Sequence, residues 1–244
     1  MAAFTKIAHR GASGNFPENT LLAIEKAIEA RADMIELDCQ LSQDGHVMIF
    51  HDERLGRTAG ARGMLKKKTL QQLKKLDVGQ WLKKSYKGER ILTLEEVLEA
   101  INGRADLCLD IKHFPDAPAG IEIKLLFIVS RYDYLERTTF SSFDYRCLSR
   151  VRELAPEARI GVIFDAATKE DPFAVAKELA AVSVHMQKEL ATREMLARAW
   201  EAGLNVYVWT VNELREMEKF IALGVQGLVT DFPERFWKLK WKSS

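Results

Sequence analysis

His9-Arg10 closes a short apolar run, Glu36 and Asp38 stand two residues apart in a second, and Asp110 and Lys112 repeat that spacing in a third. In a strand, residues two apart share a face, so each of these pairs acts in one direction. His51-Asp52 follows a fourth run. Between Leu41 and Val47 the segment Ser-Gln-Asp-Gly-His is too short for a crossover, and Asp44-Gly45 signals a hairpin turn. A hairpin centred on Asp44 pairs residues whose numbers sum to roughly 88, which sets His51-Asp52 opposite Leu37 and Glu36. Two histidines, three carboxylates and two cations thereby converge.

The residue types indicate the chemistry. Carboxylates without a thiolate among them suit a hard divalent cation, Mg²⁺ or Ca²⁺, better than zinc. Arg10 has the forked guanidinium that grips a phosphate, and Lys112 adds a point charge. His9 and His51 can serve as general base and general acid on either side of a displacement. Together these groups point to cleavage of a phosphate ester.

Each residue also has a plainer alternative. A lone histidine at a strand end is more often a hydrogen-bonded structural residue, and paired acids often mark a solvated face. For Glu36 and Asp38 the plain reading fails if their strand is covered on both sides, because an unpaired charge there is costly. His46 and His113 read as surface residues, and His185 reads equally as pocket lining or packing.

The elements that must position these groups alternate. Strand patterns occupy 4–9, 33–41, 47–51, 105–112, 137–141, 159–164, 182–186, 205–210 and 225–230, and helical spacing occupies 18–31, 93–101, 119–131, 144–154, 171–180, 191–202 and 213–223. Alternation of this kind makes a parallel sheet. Removing 47–51 as the return arm of the hairpin leaves eight parallel strands, hence an α/β (β/α)8 TIM barrel spanning residues 1–244 as a single catalytic domain, with a small insertion at 52–90. In such barrels the site lies at the C-terminal ends of the strands, where His9, Glu36, Asp38 and Asp110 fall.

Composition agrees and excludes several classes. With 47% hydrophobic and 29% charged residues the chain is neither disordered nor collagenous. No apolar run reaches the roughly 18 residues of a membrane span, and a strand pattern beginning at Phe4 leaves no room for a signal peptide. Cys39, Cys108 and Cys147, odd in number and widely spaced, suggest free thiols and a cytoplasmic setting. The net charge of +1 hides a division: residues 1–51 carry −3, 52–90 carry +8 and 91–244 carry −4. The basic segment reads as a solvated insertion or as a device steering an anionic substrate. Its aromatics, Trp81 and Tyr86, are too few for nucleic-acid stacking.

The chain resembles the glycerophosphodiester phosphodiesterases. The resemblance runs through His9-Arg10-Gly11, Pro17-Glu18-Asn19-Thr20, Ile35-Glu36-Leu37-Asp38, Asp44-Gly45 and His51-Asp52. It continues through Leu76-Asp77-Val78-Gly79, Thr93-Leu94-Glu95-Glu96, Val208-Trp209-Thr210-Val211-Asn212 and Thr230-Asp231-Phe232-Pro233. It implies a metal-dependent hydrolase releasing glycerol 3-phosphate and an alcohol from deacylated phospholipids. His9 and His51 would be its acid/base pair, Glu36, Asp38 and Asp110 its metal ligands, and Arg10 and Lys112 its phosphate contacts. The family's mechanism would have the glycerol 2-hydroxyl attack phosphorus, giving a cyclic phosphate that water opens.

Two positions depart from the family pattern. Asp110 replaces the usual glutamate of Glu-x-Lys, and a side chain shorter by roughly 1.5 Å favours the looser geometry of Ca²⁺ over Mg²⁺. Leu92 replaces a common proline and is expected to be a loop change. Trp209 is expected to line the substrate pocket, with Phe16 and Phe143 as an apolar lip. Such a lip would also suit a lysophospholipase D-type enzyme acting on lysolipids. A weakly active phosphodiester-binding barrel, its insertion docking a partner, is the reading from another class. The tail Phe236–Lys242 is expected to dock on the barrel as a final helix.

Overall fold

In the computed structural model, which describes residues 4–239, eight parallel strands close into a barrel and two further strands extend one edge of it. The first part of the chain contains β1 (Thr5–His9), α1 (Leu21–Glu29), β2 (Met34–Leu41), β3 (Val47–Ile49), α2 (Gly56–Ala59), α3 (Leu70–Leu73), β4 (Leu92–Thr93) and α4 (Leu94–Ile101). Five βα-type units complete it: β5 (Asp106–Ile111) with α5 (Ile121–Arg131), β6 (Thr138–Ser142) with α6 (Tyr145–Leu154), β7 (Arg159–Phe164) with α7 (Pro172–Glu178), β8 (Ser183–Gln187) with α8 (Arg193–Glu201), and β9 (Asn205–Trp209) with α9 (Leu214–Leu223) before β10 (Gly227–Thr230). The ring runs β1-β10-β9-β8-β7-β6-β5-β2 and closes where β2 pairs with β1. This is the expected (β/α)8 barrel.

Local chemistry sets the helix starts. Thr20 and Thr192 accept a backbone N–H at the first turns of α1 and α8, and Thr93 with Glu96 forms a reciprocal capping box on α4. Such a cap contributes about 1 kcal/mol. All eight residues of β2 are buried, as a strand covered on one side by helices and on the other by barrel contents requires. One apolar layer lies between strands and helices, with Ile35, Leu37, Leu109 and Phe140 fully buried in it. A smaller cluster of Ile7, Met34, Cys108, Tyr207 and Val229 fills the barrel interior.

β3 returns antiparallel to β2 with Cys39 opposite Ile49 and Leu41 opposite Val47, the register expected from the turn at Asp44. Beyond β3 the chain leaves the barrel and builds a satellite core from Met48, Phe50, Leu55, Leu65, Leu73, Val78 and Ile91. Buried Lys66 pairs with Glu53 at 3.0 Å and donates to the Pro115 carbonyl, tying this excursion to the loop after β5. Leu92 is not a loop residue. It pairs antiparallel with Ile49 in β4 and packs in the main core, because the excursion re-enters along the free edge of β3.

The tail forms a 3₁₀ turn at Pro233–Lys238 instead of an α-helix. Phe236 is buried edge-on to Phe4, while Lys240–Lys242 lie outside the described residues. Among the described residues no helix is long and apolar enough to cross a membrane.

Candidate active site

Parallel register determines which residues meet. His9 lies beside Glu36 across β1 and β2, and Asp38 lies beside Asp110 across β2 and β5. All eight residues expected at the site, His9, Arg10, Glu36, Asp38, His51, Asp110, Lys112 and Trp209, border one pocket of about 210 Å³ at the strands' C-terminal ends.

The backbone after β1 is shaped for this purpose. Arg10 adopts a left-handed φ of 53° and points its N–H at Glu36 Oε2, 3.1 Å away. A side chain rarely holds that conformation unless its neighbours enforce it. They do so here: at Gly11, φ 80°, an added Cβ would come within 2.6 Å of the Ala23 backbone.

The three carboxylates are buried, and one oxygen of each lies within 4.8 Å of the others. Burial raises the pKa of Glu36 to about 7, reinforced by the charge of Asp38. Burial also pushes Asp110 up, against the pull of Lys112. Asp38 goes the other way. Burial opposes its ionisation, but Lys112 and Arg10 outweigh that and hold it well below the usual range. Lys112 Nζ sits 2.9 Å from Asp38 and 2.6 Å from Asp110, and Arg10 Nε is 3.1 Å from Asp38.

Asp110 Oδ1 is buried without a hydrogen-bond partner. An orphaned oxygen is costly unless it has a ligand. An all-oxygen cluster of this span fits a single hard cation, whose ligand distances are about 2.0–2.6 Å. The cluster is therefore a possible metal site.

His9 and His51 are each anchored through Nδ1. His9 Nδ1 is 2.6 Å from Asp231 Oδ1, and His51 Nδ1 is 2.6 Å from Asp52 Oδ1. Burial raises the Asp231 pKa, but the bond from His9 and those from Asn212 and Ser13 win, and the pKa falls to about 2. An ionised carboxylate only accepts, so Nδ1 of His9 carries the proton and Nε2 is left for chemistry. His9 Nε2 lies 3.9 Å from Glu36. Burial lowers the His9 pKa, yet the Asp231 bond and Glu36 raise it overall above the ordinary value.

Sequence spacing did not single out Asp231 as a partner. The usable signal was its position, an acid immediately after the eighth barrel strand. Asn212, which donates to Asp231 Oδ2 at 2.6 Å, likewise follows the seventh.

The remaining expectations divide. Phe143 stands edge-on to Trp209 at 5.9 Å, and both border the pocket. Phe16 does not; it packs against Tyr86 of the excursion instead. His185 is both lining and packing: it borders the pocket, bonds Ser183 Oγ at 2.9 Å and rests on Tyr207. Burial pushes its pKa down to about 3, so it is neutral. His46 and His113 are exposed, outside the pocket.

Fold and site together define a phosphoric diester hydrolase, and comparison with known proteins identifies its kind. The glycerophosphoryl diester phosphodiesterase family model matches residues 9–235. The chain belongs to that family. It is 39% identical over 229 residues to a glycerophosphodiester phosphodiesterase of Caldanaerobacter subterraneus subsp. tengcongensis, covering 93% of this chain and 94% of that one. A glycerophosphodiester phosphodiesterase of Bacillus subtilis is 33% identical over 251 residues, covering 96% and 85%. An Oleispira antarctica phosphodiesterase, solved in complex with the product sn-glycerol-3-phosphate, is similar with a TM-score of 0.85 at 29% identity, covering 96% and 95%.

Proposed function

We propose that this enzyme hydrolyses glycerophosphodiesters such as glycerophosphocholine and glycerophosphoethanolamine to glycerol 3-phosphate and the free alcohol. The observation that carries this reading is the pair of carboxylate-anchored imidazoles, His9 and His51, on a pocket that also holds three acids and two cations. The glycerol 3-phosphate bound by the Oleispira relative is the matching product.

Glu36, Asp38 and Asp110 would hold Mg²⁺ or Ca²⁺. When bound, the cation supplies Lewis-acid stabilisation of charge at the phosphate and lowers the pKa of a nearby hydroxyl. Arg10 and Lys112 balance the charge on the remaining phosphate oxygens. One imidazole takes the proton of the glycerol 2-hydroxyl as it attacks phosphorus, and the other protonates the departing alcohol oxygen. In the second half the roles reverse: water opens the cyclic phosphate, and the ring oxygen leaves with a proton. Trp209, held by its indole N–H on the His185 carbonyl at 3.0 Å, covers the organic part of the substrate.

The chain acts as one catalytic unit with residues 52–90 as an appendage, in the reducing cytoplasm that three buried free thiols suit. The test is release of glycerol 3-phosphate from both substrates with Mg²⁺, Ca²⁺ or chelator. Turnover that survives chelation removes the metal from the reading. A second reading, cleavage of lysolipids, is favoured by the Phe143–Trp209 wall, since Phe143 remains 43% exposed. Choline release from lysophosphatidylcholine in the same assay tests it.

A further inference from the structure

Arg57 belongs to α2 in the excursion, yet its guanidinium grips two carboxylates of the site's surroundings. Nη1 and Nη2 donate to the two oxygens of Glu18 at 2.6 and 2.7 Å. Nε and Nη2 donate to the two oxygens of Asp52 at 2.6 and 3.0 Å. In each carboxylate the oxygen that accepts from Nη2 also accepts from a pocket residue. Glu18 Oε1 accepts from Arg10 Nη1 at 3.0 Å, and Asp52 Oδ1 from His51 Nδ1 at 2.6 Å. The Arg57 side chain is 43% exposed, so burial does not account for its two forked contacts.

We propose that Arg57 is a positioning residue that fixes His51 and Arg10 relative to one another and so makes the excursion part of the hydrolytic machinery. A doubly forked guanidinium sets the plane of both carboxylates, which an ammonium cannot do. Without it, Asp52 is free to turn away from His51 Nδ1 and Glu18 from Arg10. Burial raises the pKa of both acids, but Arg57 leads the groups that bring them below the ordinary value, so both remain acceptors. The inference rests on the reading of His51 as one of the acid/base pair.

The test is steady-state hydrolysis of glycerophosphocholine by Arg57→Gln, Arg57→Lys, Arg57→Ala, Asp52→Asn, the Arg57→Gln/Asp52→Asn double variant and His51→Ala, each with its thermal midpoint. Misplaced groups cost up to about 10²-fold. Arg57→Gln should lose roughly 30-fold in kcat, and Arg57→Lys should recover only part of it. Adding Asp52→Asn to Arg57→Gln should cost little more, since both act on His51. Free guanidinium at millimolar concentration should partly restore Arg57→Ala, and should leave His51→Ala unchanged. A kcat for Arg57→Gln within twofold of the parent, effects that multiply in the double variant, or a loss that follows a lowered midpoint and resists guanidinium would each overturn the proposal. If His51→Ala is inactive while Arg57→Gln is normal, this inference alone falls. If His51→Ala turns over normally, the reading beneath it falls too.

Discussion

His9 takes its carboxylate from Asp231 near the other end of the chain, whereas His51 takes its own from the next residue, Asp52, and both bonds measure 2.6 Å. Asp231 is steadied by neutral donors, Ser13 Oγ at 3.0 Å and Asn212 Nδ2 at 2.6 Å. Asp52 is steadied by the charged Arg57. The His9 side is also drier, 20% exposed against 33% for His51. The first dyad depends on the pairing of β1 with β10, and the second depends on the folded excursion. Two chemically similar groups are thus vulnerable to different perturbations.

Removing either imidazole is the largest expected effect. His9→Ala and His51→Ala should each lower kcat by on the order of 10³-fold while the thermal midpoint stays near the parent value. Full activity in either variant removes that histidine from the reaction.

Replacing the anchors should separate the two sides. Asp231→Asn should cost roughly 10²-fold in kcat, and Asp52→Asn nearer 10-fold, because water can substitute more readily at the more exposed ring. Equal losses would show that solvent exposure does not distinguish the dyads.

His185 is the pocket imidazole with no carboxylate, and it reports through stability. Its folded pKa, about 3, lies below the unfolded value near 6.5, so between these pH values the unfolded chain binds a proton that the folded chain does not. Its contribution is therefore complete above about pH 6.5 and is lost as pH falls, by roughly 1.4 kcal/mol per unit. Glu36, raised to about 7, and His9, also raised, titrate with the opposite sign in this range, so the difference between proteins isolates the effect. In urea unfolding at pH 7 and pH 5.5 the parent should lose stability relative to His185→Gln as pH falls. A slope that persists unchanged in His185→Gln assigns it to other groups.

The smallest effect concerns an acid that faces a cation instead of an imidazole. Asp110→Glu adds one methylene to that acid. It should shift the ratio of Mg²⁺- to Ca²⁺-supported rates by a few-fold toward Mg²⁺, since the longer arm reaches a tighter ion. An unchanged ratio would show that the shorter side chain already reaches.

Much of this was legible in the residues because the rules involved are local. Period-two spacing put Glu36 with Asp38 and Asp110 with Lys112, and all four border the pocket. The turn at Asp44 set the hairpin register, and with Phe50 N–H on the Asp38 carbonyl at 2.9 Å the chain delivers His51 to the site. Leu92 was misjudged because a two-residue strand has too little sequence to show a period. Phe16 was misjudged because the position of Tyr86 follows from how the excursion folds back.

By itself the sequence determined the alternation, the count of eight, and the acids, cations and imidazoles at the strand ends, since each follows from spacing within a few residues. Tertiary structure alone decided that Asp231 meets His9, that Arg57 joins Glu18 to Asp52, and that one Asp110 oxygen stays unpartnered. Those contacts form only when the barrel closes and the excursion folds against its rim. Residues 222 apart in sequence become hydrogen-bond partners there, and no local period records that.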